Sequence, residues 1–163
     1  MKNLQSAEAE RPFFFRNAHP AWLPRELHGE LFVQHPLNAL TQTIIGAAIE
    51  VHRELGPGML ENADEACLTF ELLRRDLVIE RQKLLPLTYK GQLMDCGYRL
   101  DLLVEGSVIV EIMSIEKLDR VHFAQLHSYL RFARCPVGLL FNFNVAWLSR
   151  DGIRRIVHDV VVG

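Results

Sequence analysis

The chain has 163 residues, 49% of them apolar and 23% charged, a mix that suits one globular domain and excludes wholesale disorder and fibrous architecture. Eighteen Lys and Arg oppose twenty Asp and Glu, leaving a formal net charge of −2, so no broad basic field advertises a polyanionic partner. Cys67, Cys96 and Cys135 are odd in number, widely spaced and without a Cys-x-x-Cys pair. That spacing argues against a disulfide framework or structural zinc, and for buried free thiols in a reducing compartment.

The N-terminus lacks the apolar core of a signal peptide. The longest apolar stretch, Val137 to Leu148, is broken by Asn142 and Asn144 and too short for a bilayer. A cytoplasmic location with no membrane partner is expected. Residues 1–36 carry Pro12, Pro20, Pro24, Pro36 and a Phe13-Phe14-Phe15 cluster without sustained periodicity. They read as an irregular arm whose aromatics need cover, from the domain or from another copy in a homo-oligomer.

Residues 37–163 form the domain. Leu40, Ile44, Ala48, Val51 and Leu55 recur at helical spacing until Gly56-Pro57-Gly58 stops the helix. A second helix sets Met59, Ala63, Cys67 and Phe70 on one face, with Arg74-Arg75 near its end, where cations suit the negative pole of the helix dipole. Glu61, Asp64 and Glu65 cluster near its start, and for Asp64 and Glu65 complementing the dipole is sufficient reason.

A strand-rich tract follows. Val78–Lys90 holds one or two extended pieces bent at Pro86, and Leu93–Val104 and Val108–Met113 are joined across Glu105-Gly106-Ser107. A third helix fits Leu118–Ala133, then a short apolar strand at Val137–Phe143. After a turn at Asp151-Gly152, Ile153–Val161 is a last strand or an extended tail. The order predicts an α/β fold, a mixed central sheet flanked by helices.

The most informative residues are two acids inside apolar runs, Asp101 and Glu111. A three-residue hairpin loop sets them opposite each other on one face, whereas a two-residue loop sets them on opposite faces. Acids on strands commonly face solvent. Two facing each other repel, and a hard divalent cation is the usual way to hold them together. No P-loop, Rossmann glycine fingerprint or Gly-x-Ser-x-Gly elbow is present.

The run Ile44–Gly58 with Leu60-Glu61, the blocks Asp95–Val104 and Val110-Glu111, His122–Leu126, Tyr129-Leu130 and Gly138–Asn144 together resemble the GxxExxY proteins over residues 38–158. Those proteins are similar to the PD-(D/E)xK nuclease superfamily, which implies a restriction-endonuclease-like core and metal-dependent phosphodiester hydrolysis of nucleic acid. By that resemblance Asp101 and Glu111 are ligands of Mg²⁺ or Mn²⁺, with the carbonyl of Ile112 as a third and Glu61 as the helix acid. Gln125 and Tyr129 match a Gln-x-x-x-Tyr pattern that lines the site and contacts nucleic acid.

Two departures stand out. Asp64 occupies the place of the signature's Tyr, and Met113 the place of the superfamily's Lys. A thioether carries no charge and donates no hydrogen bond. Lys117, four residues on, and Arg99, two residues before Asp101, are the candidate substitutes. His52 and His122 are candidates to support the site, with an ordinary surface or boundary histidine the alternative for each. Arg131 with Arg134, and Arg154 with Arg155, are the best local basic patches, which a solvated face explains equally well. The alternative functions are a catalytically impaired relative that binds nucleic acid or protein, and a structural oligomer subunit.

Overall fold

A computed structural model describes residues 36–158. The expected arm, residues 1–36, lies outside this range except for Pro36, as does the end of the last predicted strand. Helix α1 spans Asn38–Leu55 and α2 spans Glu61–Leu73. Strands β1 (Ile79–Tyr89), β2 (Gln92–Val104) and β3 (Val108–Met113) follow, then α3 (Arg120–Ala133), β4 (Val137–Asn142), a π-helical turn at Leu148–Gly152 and β5 (Ile153–Val157). The strands lie in chain order in one mixed sheet. Only β3 and β4 are parallel, and the connection between them carries α3, because parallel neighbours need a crossover long enough to return along the sheet.

The two parallel strands are the core. Val137–Asn142 is buried throughout and Val108–Ile112 nearly so, which is why both read as continuous apolar runs rather than alternating ones. On one side Leu126, Tyr129 and Leu130 of α3 pack with Leu103, Ile109, Leu140 and Ile156. Leu102, Val104, Val108, Val110, Leu139 and Phe141, interleaved with these, are buried as well, as are Ile44, Ala47, Ala48 and Val51 of α1. The sheet is therefore covered on both faces, the arrangement expected for a mixed α/β layer fold.

The connections follow local chemistry. Glu105 and Gly106 adopt positive φ, and the Ser107 N–H donates to the Val104 carbonyl (3.1 Å), closing a tight turn. The register pairs Val104 with Val108, which is the three-residue loop. Helix α3 begins two residues later than predicted because Asp119 is its N-cap, in a reciprocal capping box with His122. Where β1 bends at Pro86 it pairs with Gly97 and the register shifts. A Cβ at Gly97 would meet the Leu85 carbonyl oxygen at 2.4 Å, so only glycine permits this approach of the two backbones.

Two expectations are corrected. Helix α2 does not bury the face of Met59, Ala63, Cys67 and Phe70: Phe70 is 59% exposed and Met59 37%. It buries Asp64, Glu65, Leu68, Thr69 and Leu72 instead, because Glu65 is held by hydrogen bonds and an ion pair to β1. The two acids are thus not solvated groups merely complementing a dipole, while Arg74 lies at the C-cap of α2, near its end as expected. Of the three cysteines only Cys135 is buried; Cys67 is half-buried and Cys96 exposed, all three as free thiols.

Asp64 is fully buried, and neither carboxylate oxygen has a hydrogen-bond partner among the described residues. Burial pushes its carboxyl up to about 6, an effect that nearby His52 opposes and Glu61 reinforces. A carboxyl that protonates more readily folded than unfolded adds stability at low pH, which is lost as pH rises through 6. Asp64→Asn is expected to raise Tm at pH 7–8, by an amount equivalent to about 1–3 kcal/mol. That gain should fade as pH falls towards 4, and a pH-independent gain in thermal melts would contradict it. Gly97→Ala is expected to cost about 1–3 kcal/mol, seen as a Tm lower by several degrees; an unchanged Tm would show that β1 can yield.

Candidate metal and active site

The β2–β3 ladder ends with the pair Leu102–Val110. The same register continued one residue sets Asp101 opposite Glu111, and here side chains take over from main-chain pairing. The Ile112 N–H donates to Asp101 Oδ2 (2.8 Å), and the Asp101 N–H donates to Glu111 Oε1 (3.3 Å). Each carboxylate therefore caps the other strand's backbone, which explains how two polar side chains are tolerated at the end of apolar strands.

The electrostatics are severe. Glu111 is 5% exposed. Burial first, then the Asp101 charge, push its carboxyl up to about 9, although the Asp101 N–H favours the ionised form. Asp101 is also raised by burial, with the Ile112 N–H pulling the other way and Glu65 adding to the rise. Two carboxylates that cannot both ionise readily without a counter-charge characterise a functional site more than a structural one.

Around them opens a cleft of about 430 Å³, lined by Glu61, Tyr98, Arg99, Asp101, Glu111, Met113, His122, Gln125 and Tyr129 among others. Its size is within the range of small-ligand sites. Glu61, from the first turn of α2, accepts a hydrogen bond from the Ser114 N–H (3.0 Å). Gln125 and Tyr129, one turn apart on α3, are joined by a hydrogen bond from the Gln125 amide to the Tyr129 hydroxyl. Tyr129 also packs against Tyr98, which stacks on Phe132 (both ring centroids 5.3 Å away). Ile112 lines the cleft beside its ligand-candidate neighbours.

The candidate cations separate. Arg99 lines the cleft and its guanidinium makes no ion pair among the described residues. Lys117 is exposed and lies outside the cleft-lining set. Met113 faces the cleft half-buried. His122 lines it too, with Nδ1 accepting from the Asp119 N–H (2.9 Å), so in the neutral ring Nε2 carries the proton. His52 is elsewhere: its Nε2 is bonded to the Val145 carbonyl (2.8 Å). Two of the basic residues proposed as patches engage neighbours through their side chains, Arg131 and Arg154, and Arg134 engages them through its backbone. Arg131 lies over the Phe132 ring, Arg134 caps α3 in a left-handed conformation, and Arg154 donates to the Asp151 and Ile153 carbonyls.

Two residues escaped the sequence reading. Glu65 is buried and takes Arg81 and Gln82 as partners, and the Gln82 amide reaches Asp101 Oδ1 (3.4 Å). Glu65 carried a signal, an acid one helical turn after Glu61; Gln82, a polar residue on a strand, carried none.

No group of three His, Cys, Asp or Glu side chains among the described residues is close enough to enclose a metal ion. A pair of carboxylates, one of them buried and reluctant to ionise alone, nonetheless suits a hard divalent cation that keeps several of its waters. Mg²⁺ is commonly bound in this way, through one or two carboxylates and the substrate's phosphate. The donor set fits Mg²⁺ or Mn²⁺, held by Asp101 and Glu111, rather than a softer metal.

Among the described residues no helix is long and apolar enough to cross a membrane. Searches of the curated proteins and of the solved structures return no match. A family model for the PD-(D/E)XK nuclease superfamily matches residues 38–156, a range that takes in the five-stranded sheet, all three helices and both carboxylates. With its mixed sheet and flanking helices in the restriction-endonuclease-like arrangement, the chain belongs to the PD-(D/E)XK nuclease superfamily.

Proposed function

We propose that the protein is a metal-dependent nuclease that hydrolyses phosphodiester bonds in nucleic acid, with Arg99 supplying the positive charge that Met113 cannot. The observation that carries this reading is the convergence of Asp101, Glu111, Gln125, Tyr129 and Arg99 on one cleft. The finer likeness to the GxxExxY proteins, through Gly58 and Glu61, supports it as well, although Asp64 departs from the signature's Tyr.

Asp101 and Glu111 would hold Mg²⁺ or Mn²⁺, and Glu61, one of whose oxygens is engaged by Ser114, borders the cleft as the helix acid. A bound divalent ion supplies Lewis acidity and a more acidic water. The remaining work falls to the chain. Its hydrogen-bonded carboxylates fix where positive charge can sit, and the Gln125–Tyr129 pair presents polar groups to a sugar-phosphate backbone. Arg99 offers up to five donors in a planar fork, a shape that matches phosphate oxygens better than a lysine ammonium does. Water adds to phosphorus and gives up a proton to solvent. The P–O bond to one sugar breaks and the departing sugar oxygen takes up a proton from solvent, and the charge that builds on the phosphate is what Arg99 neutralises.

One observation favours a second reading, a catalytically impaired relative that binds nucleic acid: an uncharged thioether stands two residues after Glu111. A cleavage assay on single- and double-stranded DNA and RNA with Mg²⁺ or Mn²⁺ separates the two. Wild type is expected to cleave, Asp101→Ala to lose the activity, and Arg99→Ala to lose about 10²–10³-fold. Silence in wild type with activity in Met113→Lys would assign the protein to the impaired class. Silence in both, across every substrate and both metals, would overturn the nuclease reading.

A further inference from the structure

Gln82 sits in the middle of β1, yet its φ is +49°. Its neighbours pair normally, Arg81 with Leu102 and Lys83 with Leu100, which leaves Gln82 facing Asp101 across the strand boundary. A non-glycine residue in the left-handed region inside a strand is strained, and such strain persists only where the surroundings enforce it. The Gln82 side-chain amide sits in a set of polar contacts. The amide Nε2 donates one hydrogen to Glu65 Oε2 (2.6 Å) and directs the other at Asp101 Oδ1 (3.4 Å). Glu65 is buried on α2, and its other oxygen, Oε1, accepts from Arg81 Nε and Nη2, both at 2.9 Å.

We propose that Glu65 and Gln82 are a positioning pair for Asp101, a hydrogen-bonded bridge that fixes the plane of its carboxylate for cation binding; this rests on the metal-dependent reading above. A carboxylate only accepts hydrogen bonds, so Glu65 forces the Gln82 amide to present its NH₂ rather than its oxygen, and the same NH₂ serves Asp101. Arg81 pairs with Glu65 and offsets part of the charge that Glu65 adds beside a site already crowded with acids. With Oδ2 held by the Ile112 N–H and Oδ1 by Gln82, both oxygens of Asp101 are oriented, and each retains a lone pair for a cation. Groups that orient metal ligands in this manner typically account for 10–100-fold in affinity.

The positive φ makes the role separable from stability. Glycine adopts φ +49° without strain, so Gln82→Gly removes the bridge while relieving the backbone. Calorimetric titration of Mn²⁺, together with thermal melts of the metal-free proteins, tests the pair on wild type, Gln82→Gly, Glu65→Gln and the double variant. The expected result is Mn²⁺ affinity about 10–100-fold weaker in each single variant, little further loss in the double, and a Tm for metal-free Gln82→Gly equal to or above wild type. Unchanged affinity in Gln82→Gly, or loss of affinity only in proportion to a lowered Tm, would overturn the positioning role and leave the nuclease reading standing. Mn²⁺ binding that is absent in wild type, or that survives Asp101→Ala, would overturn the metal-dependent reading and the pair with it.

Discussion

The rest of the structure is arranged around two facing carboxyl groups at the end of a hydrogen-bonded ladder, among apolar strands. Asp101 and Glu111 stand opposite each other where the β2–β3 pairing stops, and Glu111 is almost wholly removed from water. Burying a carboxylate is costly and burying two together more so. The chain tolerates them by letting each accept a backbone N–H from the other's strand. The two carboxyls cannot both ionise readily without a counter-charge beside them.

The elements beyond the pair serve this constraint. Helix α2 buries Asp64 and Glu65 together with Leu68 and Leu72, leaving Phe70 and Leu73 in solvent. Strand β1 accepts a strained residue so that an amide reaches Asp101. Helix α3 carries Gln125 and Tyr129 to the cleft on a face whose neighbour Leu126 packs in the core. Local propensity yields at these points to the site, which is the pattern expected where function overrides ideal folding.

Much of this was legible in the residues, for definite reasons. The central strands announce themselves because a strand buried on both faces must be apolar throughout, and Gly56-Pro57-Gly58 ends α1 because such a run cannot continue a helix. The choice between two hairpin loops decided whether Asp101 and Glu111 meet, and the register settles it for three residues. What stayed hidden depends on contacts between distant segments. The buried face of α2 was assigned to its apolar side chains because nothing local says that Glu65 finds Arg81, sixteen residues away, or Gln82, seventeen away. Arg99 and Lys117 looked equivalent as substitutes for the motif lysine until the fold brought Arg99 alone to the cleft. That difference follows from position: Arg99 lies on the strand that carries Asp101, and Lys117 in the segment after β3.

The central claim is that the buried carboxylates are waiting for a divalent cation, and its most direct consequence is a proton. Burial and the Asp101 charge push the Glu111 carboxyl up to about 9, so at neutral pH it holds a proton that a bound cation would have to displace. Mn²⁺ titrations at pH 7 in buffers of different ionisation enthalpy count the protons released. The account predicts about one proton per ion bound, falling to none in Glu111→Gln. Binding without proton release, or release that persists in Glu111→Gln, would contradict it.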